Sequence, residues 1–122
     1  RSLVIPNGVT SIGDRAFDSF VNLSSVTFGT ENSPSQLKYL SGFNGSKLTS
    51  ITIPPTVTEI GEQAFYRSNL TYGESNPLEI PSTVTSIGID AFSSNTNLTH
   101  IRYLGSYSAT DWYDSTTTII KE

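Results

Sequence analysis

The sequence contains no cysteine, and among its 122 residues it has one histidine and one tryptophan. The missing cysteines exclude a disulfide scaffold, a zinc ribbon and a thiol nucleophile, but they do not exclude secretion. Charged residues are also scarce, at 15% of the chain, and hydrophobic residues make up 35%. Coiled coils and long-helix bundles need more Glu, Lys, Leu and Ala than this. Seven basic against eleven acidic residues leave a net charge of -4. A protein that tracks a phosphate backbone is basic, so nucleic acid is not an expected partner. No apolar run approaches the ~18 residues of a membrane span, so no membrane insertion is expected. No secretory signal is visible. The chain opens inside a strand pattern (Arg1-Ser2-Leu3-Val4-Ile5-Pro6), which reads as a segment of a longer protein.

What is abundant is hydroxyl: 19 serines and 16 threonines. The second abundant feature is repetition. Ile5-Pro6-Asn7-Gly8-Val9-Thr10-Ser11-Ile12-Gly13-Asp14-Arg15-Ala16-Phe17 aligns with residues 53–65 and 80–92, and eight of the thirteen columns are identical. The first two copies lie 48 residues apart, which leaves room for another. A degraded one is visible as Leu37-Lys38-Tyr39-Leu40, with Gly42-Phe43 replacing Ala-Phe. Leu3, Val26, Ile51, Leu78 and Ile101 mark the first apolar residue of successive strands, at spacings of 23, 25, 27 and 23. A unit of that length cannot bury its apolar face alone, so successive units must stack on a shared core. Ile51 and Ile53 alternate with Ser50 and Thr52, which gives a strand with apolar residues inward. Pro54 ends that strand, and Val57 and Ile60 point inward from a second short extended or turn segment. Gly61 permits a tight turn and Ala64-Phe65 returns the chain to the core.

These blocks resemble the BspA-like, or treponemal-type, leucine-rich repeats. The resemblance covers residues 1–104, and the Tyr103-Leu104-Gly105 … Asp111-Trp112 segment is similar to the one that often closes such arrays. It implies an α/β solenoid: a short right-handed coil with a parallel sheet on one face and short turn or helical segments opposite. Residues 1–104 form about four repeats, the first truncated, and 105–122 a C-terminal cap. The family's cysteine column holds Phe20 and Asn95, while the second and third copies run one residue short there. That departure is expected to weaken any ladder of buried polar side chains. The resemblance further implies a secreted or cell-surface protein that adheres to a host or neighbouring-cell protein or glycoprotein, with neither enzyme activity nor a cofactor.

On such a coil the outward strand positions form two columns. One is Ser2, Ser25, Ser50, Pro77 and His100; the other is Val4, Thr27, Thr52, Glu79 and Arg102. Ser25, Thr27, Ser50, Thr52, Glu79, His100 and Arg102 are the candidate binding surface, although exposed strand positions are commonly polar for solvation alone. Five strands about 4.8 Å apart offer on the order of 250–300 Å². A standard interface takes about 800 Å² per partner, so tight binding needs more repeats, multivalency or flanking loops. The insertion from Thr71 to Pro77, with Tyr72 and Glu74, is one such loop, or merely an insertion that a surface loop accepts cheaply.

Chemistry is thinly supported. His100 and Glu79 are the only groups available to a hydrolase, and no Gly-x-Ser-x-Gly elbow, metal-ligand spacing or phosphate-cradling loop occurs. Asp14, Glu62 and Asp90 fall just after the repeated glycines, where a helix-like turn would start. Asp111 and Asp114 sit three apart on an expected cap helix, and Trp112 covers the core end or stacks on a ligand. Residues 116–120 read as a strand pairing with the last repeat. Four Asn-x-Ser/Thr sequons occur, at Asn22, Asn44, Asn69 and Asn97, three of them from the repeat's own Asn-Leu-Ser/Thr phrase. Two further readings remain open at this point. One is a structural spacer or self-assembling subunit that docks through an open N-terminal edge. The other is recognition of ice or glycan by the hydroxyl columns.

Overall fold

The computed structural model describes residues 2–18, 22–29, 32 and 34–121; Phe20 lies outside them. Its strands are β1 (Ser2–Ile5), β2 (Ser25–Phe28), β3 (Tyr39–Leu40), β4 (Glu59–Ile60), β5 (Leu78–Ile80), β6 (Ser86–Ile87), β7 (His100–Tyr103) and β8 (Thr118–Ile120). All the strand pairs are parallel, and the chain winds as a β-solenoid of about four turns. The strand markers stack in register: Leu3 beside Val26, Leu78 beside Ile101, and Ile101 in turn beside Ile119. Residues 118–120 therefore extend the sheet by one strand, as the threonine-rich tail suggests.

The Val-x-x-Ile segment makes the second wall. Ser11, Tyr39, Glu59 and Ser86 stand in one row, through an isolated bridge and the sheet β3-β4-β6. Leu37 and Leu40 of the degraded copy are fully buried, in the places that Val57 and Ile60 hold in the next. Threonine hydroxyls tie one coil to the one before. Thr56 donates to the Leu37 carbonyl at 2.7 Å and Thr83 to that of Val57 at 2.9 Å.

The core is a column of rings. Phe17 stacks on Phe43 at 5.2 Å, Phe43 on Phe65 at 5.5 Å and Phe65 on Phe92 at 5.3 Å, with interplanar angles of 12°, 4° and 11°. Backbone rungs run alongside: each Phe N–H donates to the carbonyl of Gly42, Ala64, Ala91 or Trp112 in the coil above. Trp112 closes the column edge-on to Phe92 at 6.1 Å and is 1% exposed. Its indole N–H donates to the Ala109 carbonyl at 2.8 Å. Trp112 is thus a lid on the last coil.

Three expectations need correction. No helix occurs among the described residues, either opposite the sheet or in the tail. The Gly-x-x-Ala-Phe stretch is too short for a helical turn to propagate, and it bends instead through a left-handed residue. Arg15, Gln63 and Asp90 have φ of 69°, 56° and 60°. Asp90 thus matches Arg15 and Gln63 rather than Asp14 and Glu62.

The polar ladder is not weakened by the short copies. Their missing residue falls after the cysteine column, which Ser46 and Ser68 occupy. Both hydroxyls donate to the Phe43 carbonyl, at 2.9 and 2.6 Å. Asn95 continues the ladder one coil on. Its Oδ1 accepts from Leu70 N–H at 2.9 Å, and its Nδ2 donates to the carbonyls of Phe65 (2.8 Å) and Phe92 (3.1 Å).

Finally, residues 51–53 do not join the sheet. The main sheet is therefore β1-β2 on one side and β5-β7-β8 on the other, with an unbonded segment between them.

Candidate functional site

The outward positions of the main sheet are the first candidates. Ser25 and Thr27 lie on β2, half-buried and exposed, and Ser50 and Thr52 are exposed on the unbonded segment. Glu79 of β5 and Arg102 of β7 are register partners and form an ion pair, Arg102 Nη1 to Glu79 Oε2 at 3.3 Å. Glu79 is exposed and Arg102 half-buried, so the solvent-screened pair contributes about 0–1 kcal/mol. His100 is half-buried at the start of β7, with its Nδ1 2.9 Å from the Thr99 hydroxyl. Strand β8 adds Thr118 beside His100 and Ile120 beside Arg102, so the charged cluster lies inside the sheet and not at its end.

The break at 51–53 dominates this face. In a parallel ladder alternate residues direct both backbone groups to the same neighbour. Ile51 faces the β5 side, and its N–H and C=O are both taken by one hydroxyl: Tyr72 Oη accepts at 3.0 Å and donates at 3.1 Å. Tyr72 is therefore a plug for the ladder, not a free loop residue. Its backbone is held as well, donating to Asn97 and accepting from Thr99. Beyond it, Gly73 and Asn76 close a tight turn that leaves Glu74 exposed at the tip.

Thr52 faces the other way, toward β2, and no backbone hydrogen bond joins it to that strand among the described residues. A groove opens on each side of the segment. One, of about 370 Å³, is lined by Ser50, Thr52, Tyr72, Asn76, Pro77 and Glu79, among others. The other, of about 650 Å³, runs between Thr27, Phe28 and Gly29 on one wall and Thr52 to Thr56 on the other. Both grooves sit beside insertions, the Gly73–Pro77 turn and the longer path from Gly29 to Ser35.

These grooves collect Thr27, Ser50, Thr52, Glu79 and Tyr72. Ser25, His100, Arg102 and Glu74 fall outside them. No hydrogen bond links His100 to Glu79 or to a serine among the described residues, and no three acidic or histidine side chains converge to hold a metal ion there. Sequence reasoning missed the break itself, because Ser50-Ile51-Thr52-Ile53 alternates as well as any strand in the chain.

A second polar site lies on the wall that carries β3 and β4. Tyr39 Oη donates to Asp14 Oδ1 at 2.7 Å. That bond, with the nearby Ser41 hydroxyl, holds the Asp14 carboxyl below its ordinary value. Burial and the same carboxylate push the Tyr39 phenol up to about 12.

With the coils, their ring column and their spacing in place, comparison with family models decides the class. The model for the BspA type leucine rich repeat region matches residues 1–111, in six copies. The chain belongs to that family. The BspA-type match extends through Asp111, past the last full repeat and up to the Trp112 lid. No curated protein and no solved structure matched the chain. No helix among the described residues is long and apolar enough to cross a membrane.

Proposed function

We propose that this BspA-type array is a non-catalytic protein-interaction module of a secreted or cell-surface protein, engaging a host or neighbouring-cell protein or glycoprotein. The observation that carries the reading is the broken sheet. An intact sheet of short polar strands offers a flat face, whereas here two grooves flank Thr52 and bring Thr27, Ser50 and Glu79 to their rims. Backbone groups left unpaired beside a groove are the usual attachment points for an extended peptide. The small area still argues for avidity.

The test is retention of extracellular proteins on the chain displayed as a tetramer, compared with a Thr52→Arg tetramer that fills both grooves. Retention by the parent and its loss in the variant support the reading. Equal retention, or none, overturns it.

A second reading, a spacer or self-assembling subunit, is favoured by one observation. Among the described residues no strand pairs with the side of β1 away from β2, and Val4 on that strand is 57% exposed. Sedimentation at high concentration separates the two: reversible dimers that dissociate in a Val4→Lys variant support edge docking, and a strict monomer removes it.

A further inference from the structure

The notch beside Asp14 arises from a deletion. Phe17 follows Ile12 by five residues and Phe65 follows Ile60 by five, but Phe43 follows Leu40 by only three. Phe43 nevertheless keeps its place in the ring column. The second coil therefore reaches the column by a shorter path, and its turn is recessed between those of its neighbours.

The recess has a volume of about 260 Å³. That is the space of about eight water molecules, or of one long side chain. Its floor is Ser41 and Gly42. Gly42 has φ of 90°, and a Cβ there would run into the backbone of Gly13 and Ala16, so the floor has no room for a side chain.

The walls are acidic. Asp14 and Asp18 come from the first coil and Glu62 from the third, with Arg15 as the only cation among the lining residues. Tyr39 donates to Asp14 and favours its charged form. Asp18 Oδ1 accepts from Asn44 N–H at 3.1 Å. Asn44 Nδ2 reaches Gln63 Oε1 at 3.3 Å, which links the floor to the far wall. Beneath them the Ser41 hydroxyl is fully buried. It lies close enough to Asp14 to lower that carboxyl, yet it makes no hydrogen bond of proper geometry. The oxygen of a hydroxyl left in this state can accept an N–H from a ligand that enters the recess. The acids are too dispersed to ring a metal ion, since no cluster of three meets that description among the described residues. Separated acceptors around a slot suit a cation on a long stem, with several N–H donors.

We propose that this notch is a socket for a single basic side chain, lysine or arginine, presented by a protein partner. It rests on the interaction-module reading for the partner's nature, but it lies on a different wall from the sheet grooves and is measured independently of them. The experiment is an amide-resolved NMR titration of the whole chain with N-acetyl-lysine amide and N-acetyl-arginine amide. N-acetyl-norleucine amide and calcium chloride serve as comparisons.

The expected result is saturable shifts, in the millimolar range, confined to residues around Asp14, Ser41 to Asn44 and Glu62, with the norleucine compound silent. Glu62→Gln should weaken that binding at least five-fold. Gln63→Lys, at a position where Arg15 shows that a long cationic residue tolerates the left-handed backbone, should abolish it by supplying an internal ammonium. Shifts of equal size with norleucine amide, scattered shifts, or a response to calcium alone would each overturn the socket. None of these outcomes touches the Thr52→Arg comparison, so the two ideas fail separately.

Discussion

Consider the replacement of Phe65 by alanine. The ring is fully buried and sandwiched between Phe43 at 5.5 Å and Phe92 at 5.3 Å. Removing a buried Phe costs roughly 3–5 kcal/mol, from lost transfer energy and the cavity left behind. With rings packed on both faces the site has little means of collapsing, so a value of about 4 kcal/mol is expected. Phe17 provides the internal comparison. It is only half-buried where Phe65 is fully buried, so its loss should cost roughly half as much, about 2 kcal/mol. A domain of this size is stable by roughly 6–18 kcal/mol, so both variants should fold and both effects are measurable. Urea unfolding followed by far-UV circular dichroism reads the difference. A third variant, Phe65→Leu, keeps the apolar volume but removes the flat ring, and should lose only about 1–1.5 kcal/mol. If Phe65→Ala costs no more than Phe17→Ala, the rings do not hold the coils together and the account of the core is wrong.

Asn95→Ala should cost about 2–4 kcal/mol in the same assay, because it strips a buried amide and leaves Leu70 N–H and the Phe65 carbonyl without partners. Gly88→Ala should cost at least about 2 kcal/mol and Gly13→Ala less than about 0.5 kcal/mol, since an added Cβ meets the backbone of Gly61 and Glu62 at the first position and nothing at the second. Comparable losses at both glycines would refute that account of coil spacing. The Tyr39–Asp14 pair gives a pH signature at both ends of the scale. Asp14 is depressed in the folded state, so its contribution is present above the ordinary value of 3.8 and is lost as pH falls through the lower folded value. Tyr39 is raised to about 12, so its contribution is present below 10 and disappears as pH rises from 10 through 12. Tyr39→Phe should shift the NMR-monitored Asp14 titration upward, toward 3.8, and an unchanged titration would contradict the hydrogen bond's role.

How much of this was legible beforehand depends on whether a feature is local. The ring column was readable because Ala-Phe recurs at fixed distance from Ile-Gly, and the degraded copy could be placed through Leu37, Leu40 and Phe43. The absent helices were not readable from composition, for Arg15, Gln63 and Asp90 adopt a backbone that side chains usually avoid. The polar ladder was misjudged because the one-residue shortfall was assigned to the cysteine column, whereas Ser46 and Ser68 hold that column and the shortfall follows them. The break at Ile51–Ile53 was invisible because Ser50-Ile51-Thr52-Ile53 alternates like a paired strand. The Tyr72 hydroxyl takes both backbone groups of Ile51, in a segment whose own alternation is faultless. The outward strand positions face solvent as the alternation implies, but around Thr52 they border grooves rather than a flat sheet. The notch was written plainly in the count from Leu40 to Phe43, but only the undisturbed column shows that the missing residues leave a hole rather than a shift.

The near-parallel rings of Phe43, Phe65 and Phe92 have a consequence for how such a gene can change. Each coil offers its neighbour above much the same surface that it receives from below. An in-frame duplication or loss of one whole unit would therefore rejoin like to like and recreate the same aromatic contacts at the seam. Array length is free to drift between descendants while the interior stays as it was, so novelty falls to the corners, where loops lengthen and turns are trimmed.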